Sequence, residues 1–451
     1  MGALNRRQFV TGLSATLWSA MAGRRAMAQV GSAPPVFWVQ LHATGGWDQM
    51  LFCDPKFGPR TSANGGFHNA NQLAMAGGIP YVDAYSTGTP MVRPVGPFFT
   101  QFASRLTVIN GIDVGSNNHD VGARFSMSGS LLEGFPIFAA QVAGALGRGR
   151  VMPLVDISGY DESGGLTAPV RLDYRGVPEI VALQNVVKPS SGQYLNNQPT
   201  VTAMRLMSQP VHTKVRALAL SRAERLQQSQ RLPGWQRGLT AWREAMTASP
   251  ELSRLGIPPI GSDQLANTKA LATMGLRGFK AGVAMSMTIA AGGPNMDSHG
   301  IPDADHLVEL GLVFEVARHI LLTADMEMVP TVVVMTSDFG RTPVRETAGS
   351  GHWPIGSTML AQSQAALALN LFPAGRVIGG TTGSPMGPNP LTTVLRSRKI
   401  DPRTHAFSDT GVTLTPTHVM RALRQVAGIQ TAEALRSYPL NVDGTPFSFA
   451  G

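Results

Sequence analysis

Four apolar, strand-like runs in this chain each end in a short polar loop that carries aspartate or histidine. They are VFWVQLHATGGWD (36–48), RLTVINGIDVGSNNHD (105–120), AMSMTIAAGGPNMDSHG (284–300) and PTVVVMTSDFG (330–340). A fifth loop, GSGHWP (349–354), follows soon after the last. In an open α/β sheet, ligands bind outside the carboxyl ends of the strands. Loops that leave strands at that edge bring Asp48, His119, Asp297, His299, Asp338 and His352 together. A cluster of carboxylates and imidazoles suits one or two divalent transition-metal ions, with zinc or manganese the expected species.

The rest of the pattern points to the same fold class. Residues 303–326 keep apolar side chains at helical spacing and begin with aspartate, which reads as a capped helix. They lead past Pro330 into the run 331–337. A strand–helix–strand unit with a crossover of this length pairs its strands in parallel. Residues 98–111 read as a short helix and a strand, 119–146 as helical runs broken by glycine, and 151–158 as a buried strand. Residues 265–283 and 415–428 read as helices, and 54–97, rich in Gly, Asn and Pro, as a long loop. The expected fold is α/β, with a mostly parallel central sheet and helices on both faces. From about 160 to 260 the character changes to polar amphipathic helices (213–231, 236–248), an insertion that caps the sheet domain.

The first 28 residues read as an export signal. Arg6 and Arg7 precede Phe9 and a short apolar stretch, and Ala26-Met27-Ala28 gives an A-x-A cleavage site. The arginine pair marks a twin-arginine leader, so the expected partner is that export machinery and the expected location is periplasmic or secreted. The apolar stretch falls short of the roughly 20 residues that span a bilayer, so no stable anchor is expected after cleavage. Four of the 37 bases lie in the leader, which has no acid, leaving 33 bases against 28 acids in residues 29–451. Without a dense basic stripe interleaved with aromatics, nucleic-acid binding is not expected. Cys53 is the only cysteine. A disulfide framework is excluded, and Cys53 reads as a small buried apolar residue.

Each candidate ligand also has a plainer reading. Asp48 follows Gly-Gly-Trp and could cap a helix or close a turn. Asp297 could form an Asx-turn; Asp297 and His299, two apart, point to one side if the chain is extended. Asp338 could pair with Arg341. His119, His299 and His352 could be hydrogen-bonded loop histidines. Gly349, Ser350 and Gly351 give His352 a lead that tolerates close backbone approach. His306 and His319, in the long helix, His42 in the first strand and His68 read as structural.

Taken in order, the leader, GGWD (45–48), MDSHG (296–300), SDFGRTP (337–343) and GHWP (351–354) resemble the secreted bacterial family called domain of unknown function 1501. The resemblance spans nearly all of the mature chain. That family is similar to alkaline phosphatases and sulfatases, which implies an alkaline-phosphatase-like α/β fold with metal at the strand carboxyl ends. It further implies hydrolysis of an anionic phosphate or sulfate ester, small or polymeric. By resemblance, Asp48 is the first-strand ligand, Asp297 and His299 are paired ligands, Asp338 is the acid of an Asp-His pair, and His352 is the last ligating histidine. Phe339 stands where the histidine of that pair would be, and His119 is the candidate to fill the gap. No nucleophile is evident after the second strand. Ser116 is the candidate, the alternative being water activated by the metal, and Arg341 would then hold an anionic oxygen bidentately. The competing reading is a non-catalytic exported binding or assembly protein on the same fold. An oxidoreductase lacks a visible Cys or Met ligand set.

Overall fold

The computed structural model describes residues 35–56, 73–83, 95–157, 159–172, 263–345, 349–382 and 395–450, with shorter stretches between 187 and 243. The export leader, His68 and most of 236–248 lie outside the described residues.

The core is an eight-stranded sheet. Its strands are β1 (Phe37–Ala43), β2 (Leu106–Asp113), β3 (Met152–Ile157), β4 (Pro169–Arg171), β5 (Ala284–Ala291), β6 (Thr331–Ser337), β7 (Ile355–Gln362) and β8 (Arg376–Gly379). They lie in the order β8-β2-β7-β6-β1-β5-β3-β4. β1 pairs in parallel with β5 and β6, β5 with β3, β3 with β4, and β8 with β2. Only β7 is reversed, antiparallel to both β6 and β2. The four loop-bearing runs of the sequence therefore share one mostly parallel sheet, as expected. Each is buried along its length because both faces are covered, which is why it reads as a nearly unbroken apolar run.

The two faces differ in chemistry. Among the described residues the helices longer than one turn are α1 (Gly96–Phe102), α2 (His119–Ser128), α3 (Phe138–Leu146), α4 (Gln209–Ser229), α5 (Gln264–Lys280), α6 (Asp303–Glu327) and α7 (Pro416–Val426). Odd residues of β1 face the apolar side: Phe37 packs on Phe279 of α5, ring centroids 5.1 Å apart. Even residues face α2 and α3: Trp38 meets Phe138 edge-on at 5.2 Å. This second face is more polar. Buried Gln40 donates to Met127 O (2.8 Å) and accepts from Ala139 N (3.1 Å), so one amide fastens the end of α2 to the start of α3. The Ser286 hydroxyl donates to Ala139 O at 2.6 Å from the neighbouring strand. His42 and Thr336, paired across β1 and β6, lie on this face at its carboxyl edge.

Two local readings are revised. Asp303 is the first helical residue of α6 rather than its cap; Pro302 takes the cap position without a side-chain bond. α7 does carry a capping box, between Thr415 and His418. The stretch 54–97 contains a hairpin, Leu73–Ala76 with Ile79–Val82, which reads as loop in the sequence because it is short and rich in alanine. Within 160–260, α4 and short strands between 187 and 205 are described, while residues 169–171 belong to the central sheet as β4. Among the described residues no helix is long and apolar enough to cross a membrane.

Replacing Gln40 by leucine tests the polar face. It strands the Met127 carbonyl and the Ala139 N–H in a buried layer, and each such group costs about 1–3 kcal/mol. Urea unfolding is expected to show a loss in that range at least; a change inside experimental error would mean that water or a shift of α2 satisfies both groups.

Candidate metal centre

The reversed strand explains how a fifth loop reaches the site. Because β7 runs against its neighbours, its amino end lies at their carboxyl edge, and the hairpin Gly340–Arg345/Ser350–Trp353 that precedes it folds there. Ser350 N donates to Ser298 O at 3.0 Å, joining this hairpin to the loop after β5. Gly349 makes the approach feasible: a Cβ there would lie 1.6 Å from Ser298 O. At the other side, Gly122 lets α2 close on the end of β6, since its Cβ would meet Asp338 O at 2.5 Å.

Three side chains converge in the space so formed. His119, Asp297 and His352 each offer one ligand atom, and these atoms lie within 4.8 Å of one another. Asp297 Oδ1 is 3.1 Å from His352 Nε2, and Oδ2 is 3.4 Å from His119 Nε2. The outer nitrogen of each imidazole is tied down. His352 Nδ1 lies 2.7 Å from Asn117 O, and His119 Nδ1 lies 2.6 Å from Asp338 Oδ2. Carbonyl and carboxylate oxygens only accept, so both Nδ1 atoms carry a hydrogen, and in its neutral form each ring turns a bare Nε2 toward Asp297. His119 Nε2 is buried and has no hydrogen-bond partner. Two lone-pair nitrogens and a carboxylate aimed at one point, one nitrogen unsatisfied, fit a divalent cation by the chemistry of the donor set. His299 stands at the rim, half-exposed, its Nε2 2.7 Å from His352 Nε2 and 3.6 Å from Asp297 Oδ1. It reaches the cluster from a bend after the 3-10 turn Pro294–Met296, not from the extended chain that the spacing implies.

The other expected site residues have different surroundings. Asp48 takes the plainer of its two readings at one oxygen: its buried carboxylate caps the turn Gln49–Leu51, accepting Met50 N–H at 3.0 Å, and the three-residue cluster does not include it. Its own N–H donates to His306 Nε2 at 3.0 Å, so His306 is a core residue, as expected. Asp338 is buried with both oxygens engaged: Oδ1 by His42 Nε2 (2.6 Å), Oδ2 by His119 Nδ1 and by Gly45 N–H (2.9 Å). It thus orients His119 instead of joining the cluster. Burial pushes the Asp338 carboxyl up, but the bonds from His119 and His42 outweigh it and hold it well below the usual range. The same bond pushes the His119 imidazole up.

Arg341 pairs with Asp297 rather than with Asp338, and its guanidinium is taken up by loop carbonyls. Fully buried, it donates from Nε to Gly46 O (2.7 Å), from one terminal nitrogen to Ser350 O (3.1 Å), and from the other to Gly45 O, Met296 O (3.0 Å) and Asp297 Oδ1 (2.9 Å). Desolvation pushes Asp297 up, yet Arg341 and His352 bring it down to about 2. Ser116 lies on the loop between β2 and α2, its hydroxyl accepting Asn118 N–H at 3.1 Å. The Asn118 side chain caps α2 through Val121 N–H. Phe339 is buried, its ring centroid 4.8 Å from that of His119 and 4.4 Å from that of His352, so the phenyl walls the imidazoles in. Cys53 is a buried free thiol that desolvation pushes well up, as its apolar neighbours in sequence suggest.

Two contributors are not evident from sequence. His42 reads as a lone histidine in an apolar strand, and its one signal is parity: it shares the polar face with Gln40. Glu309 on α6 accepts backbone N–H groups of Gly293 and Asn295 and so steadies the loop that carries Asp297.

No family model and no curated protein matches the sequence. Among solved structures, the chain is similar to Ps i-CgsB in complex with k-i-k-neocarrahexaose, with TM-score 0.37, 10% identity, and coverage of 90% of this chain and 74% of that one. It is similar to the phosphonate monoester hydrolase SpPMH from Silicibacter pomeroyi, with TM-score 0.30, 11% identity, and coverage of 92% and 78%. A third is the integral membrane protein lipooligosaccharide phosphoethanolamine transferase A (EptA) from Neisseria meningitidis, with TM-score 0.28, 9% identity, and coverage of 81% and 56%.

Arg341→Met breaks the tie between three loops. The expected loss in metal-free protein is about 3 kcal/mol, the low end for breaking a buried ion pair because Asp297 is partly exposed. Asp297 has a folded pKa of about 2, below that of an unfolded aspartate. Its contribution is present above the unfolded value, near pH 4, and fades as pH falls toward 2. Urea midpoints of wild type and variant should therefore converge on acidification; a gap that widens below pH 4 would contradict the pairing.

Proposed function

We propose that this chain is an exported, metal-dependent hydrolase of phosphate or sulfate esters. The observation that supports this best is the convergence of His119 Nε2, Asp297 and His352 Nε2, with the outer nitrogen of each ring tied to Asp338 and to Asn117 O. The likeness of its motifs to domain of unknown function 1501, and through it to alkaline phosphatases and sulfatases, gives the ester class. His119, Asp297 and His352 would hold a zinc or manganese ion, with His299 as a further candidate ligand. A divalent ion there supplies Lewis-acid polarisation of an anionic ester and acidifies water.

The chain's own groups have defined tasks in that scheme. Asp338 and Asn117 keep the imidazoles oriented. Phe339 keeps bulk water away from one side of both rings. Arg341 supplies no donor to substrate; it fixes the Asp297 carboxylate. Ser116 sits on the loop that leads into α2, on the same strand end as Asn117, and is the candidate nucleophile.

Metal content of chelator-treated and then zinc- or manganese-loaded protein, with turnover of aryl phosphate mono- and diesters and aryl sulfates, tests the reading. Wild type is expected to bind metal tightly and to hydrolyse at least one ester class. Asp297→Asn removes the anionic ligand and is expected to abolish most of both. Ser116→Ala separates the mechanisms: a large loss of turnover with metal retained means covalent serine, little change means attack by water. Metal-loaded protein that binds an anion but turns over nothing would leave the second reading, a non-catalytic exported binding or assembly protein. The phenyl of Phe339 beside the cluster and the turn-bonded Ser116 hydroxyl favour that alternative.

The export part of the proposal rests on Arg6, Arg7 and Ala26-Met27-Ala28. Changing both arginines to lysine is expected to leave precursor in the cytoplasm. Normal periplasmic accumulation of the double variant would refute the twin-arginine route and leave the hydrolase reading standing.

A further inference from the structure

We infer that His42 is a positioning residue of the metal centre, acting through Asp338 to decide which nitrogen His119 presents to the site. The inference deepens the metal reading above and rests on it for its functional meaning.

The geometry forms one line of hydrogen bonds. Thr336 Oγ1 lies 3.0 Å from His42 Nδ1, His42 Nε2 lies 2.6 Å from Asp338 Oδ1, and Asp338 Oδ2 lies 2.6 Å from His119 Nδ1. Each polarity follows from the one before it. The carboxylate accepts from both rings, so His42 carries a hydrogen on Nε2, and in the neutral ring its Nδ1 accepts from the Thr336 hydroxyl. His119 carries its hydrogen on Nδ1. Its Nε2, the buried atom without a partner, then faces Asp297 Oδ2 at 3.4 Å with its lone pair. The sequence builds this line at one edge: His42 and Thr336 are register partners on β1 and β6, Asp338 follows one residue beyond the end of β6, and His119 opens α2.

His42 decides the outcome because Asp338 has little else to use. The carboxylate is buried, and its donors are two imidazoles and the Gly45 N–H. Without His42, Oδ1 is left bare in a dry layer. Rotation of the carboxylate to recover a donor then breaks the fixed bond to His119 Nδ1. The His119 ring is released to place its hydrogen on Nε2 instead, which blocks the lone pair that a cation needs. Partners that orient a ligating histidine in this way are worth about 10–100-fold in metal affinity. His42 sits two contacts from the cluster, so it touches neither metal nor substrate.

The test uses two variants and two readouts. His42→Phe removes the donor; His42→Gln keeps an N–H at about the position of Nε2. Zinc affinity, measured by competition with a chromogenic chelator, is expected to fall about 10–100-fold in His42→Phe and to recover most of the loss in His42→Gln. The second readout needs no metal. Long-range proton–nitrogen NMR of histidine-labelled, metal-free protein, with the His119 signals assigned by His119→Gln, should place the wild-type hydrogen on Nδ1. It should remain there in His42→Gln and become mixed in His42→Phe. A merely structural role would lower the unfolding midpoint and leave the tautomer and the affinity of the folded variant unchanged, and that result overturns the inference. So does a wild-type spectrum with the His119 hydrogen on Nε2, which needs no variant to fold. Wild type that binds no zinc refutes the metal reading alone, because the tautomer comparison still decides whether His42 sets His119.

Discussion

The guanidinium of Arg341 is the contact on which the site depends. Its donors reach the carbonyls of Gly45 and Gly46 after β1, of Met296 after β5, and of Ser350 in the hairpin before β7, together with the Asp297 carboxylate. Those segments share no secondary structure with one another at that point. Loop backbone buried at a sheet edge must find partners or remain unsatisfied at considerable cost. A planar five-donor group on the hairpin strand that follows β6 meets that need for three loops at once, and lysine, with one compact ammonium, could not span the same carbonyls. The charge has a second effect. The guanidinium, with His352, holds Asp297 ionised, so the carboxylate at the centre of the cluster is kept anionic in part by the residue that also fixes its loop.

The asymmetry of the two sheet faces follows from the same logic. On the α5–α6 side the strands present Phe37, Met287 and their neighbours, and packing alone suffices. On the α2–α3 side they present Gln40, His42, Ser286 and Thr336, and most of these polar atoms are spent on a helix end or on one another. A buried polar layer stabilises a fold only when its members are satisfied. Gln40 does this in mid-strand by fastening α2 to α3. One step further along β1, His42 does it with Asp338, and the polar layer passes without a break into the ligand cluster. The site is therefore continuous with the core and does not rest on its loops alone.

How much of this is legible in the sequence depends on whether the signal is local. The strand ends are: apolar runs punctuated by GGWD, MDSHG and SDFG mark β1, β5 and β6, and the structure places Asp297 and His299 after β5 near His352 of GHWP. The reversed β7 is not, because Ile355–Gln362 follows the hairpin directly and its direction is set by pairing with β2 and β6. Asp48 and Asp338 carry the right chemistry at the right strand ends, but whether a carboxylate faces the cluster or caps a turn depends on rotation about one loop. Gly-Gly-Trp-Asp permits both. Arg341 shows the opposite failure. Three residues after Asp338 it invites pairing with that neighbour, yet its partners come from positions 45, 46, 296, 297 and 350, a set that no spacing rule connects.

Phe339 completes the argument about what the site can hold. A second imidazole at that position would add a donor beside His119 and His352. The phenyl instead packs on both rings and adjoins the Arg341 guanidinium, whose carbon lies 5.8 Å from its centroid. Apolar surface there excludes water from one side of the cluster and lowers the local dielectric, which strengthens each charge contact that remains. The ligand atoms are few, but they are oriented by buried partners: Asp338 behind His119, Asn117 O behind His352, Arg341 behind Asp297. Under the proposed metal reading, three oriented donors and one dry wall would favour a small, tightly held cation over a loosely hydrated one. Its open side is left to the half-exposed His299 and to the loop that carries Ser116, so an anionic ligand would have to approach from there.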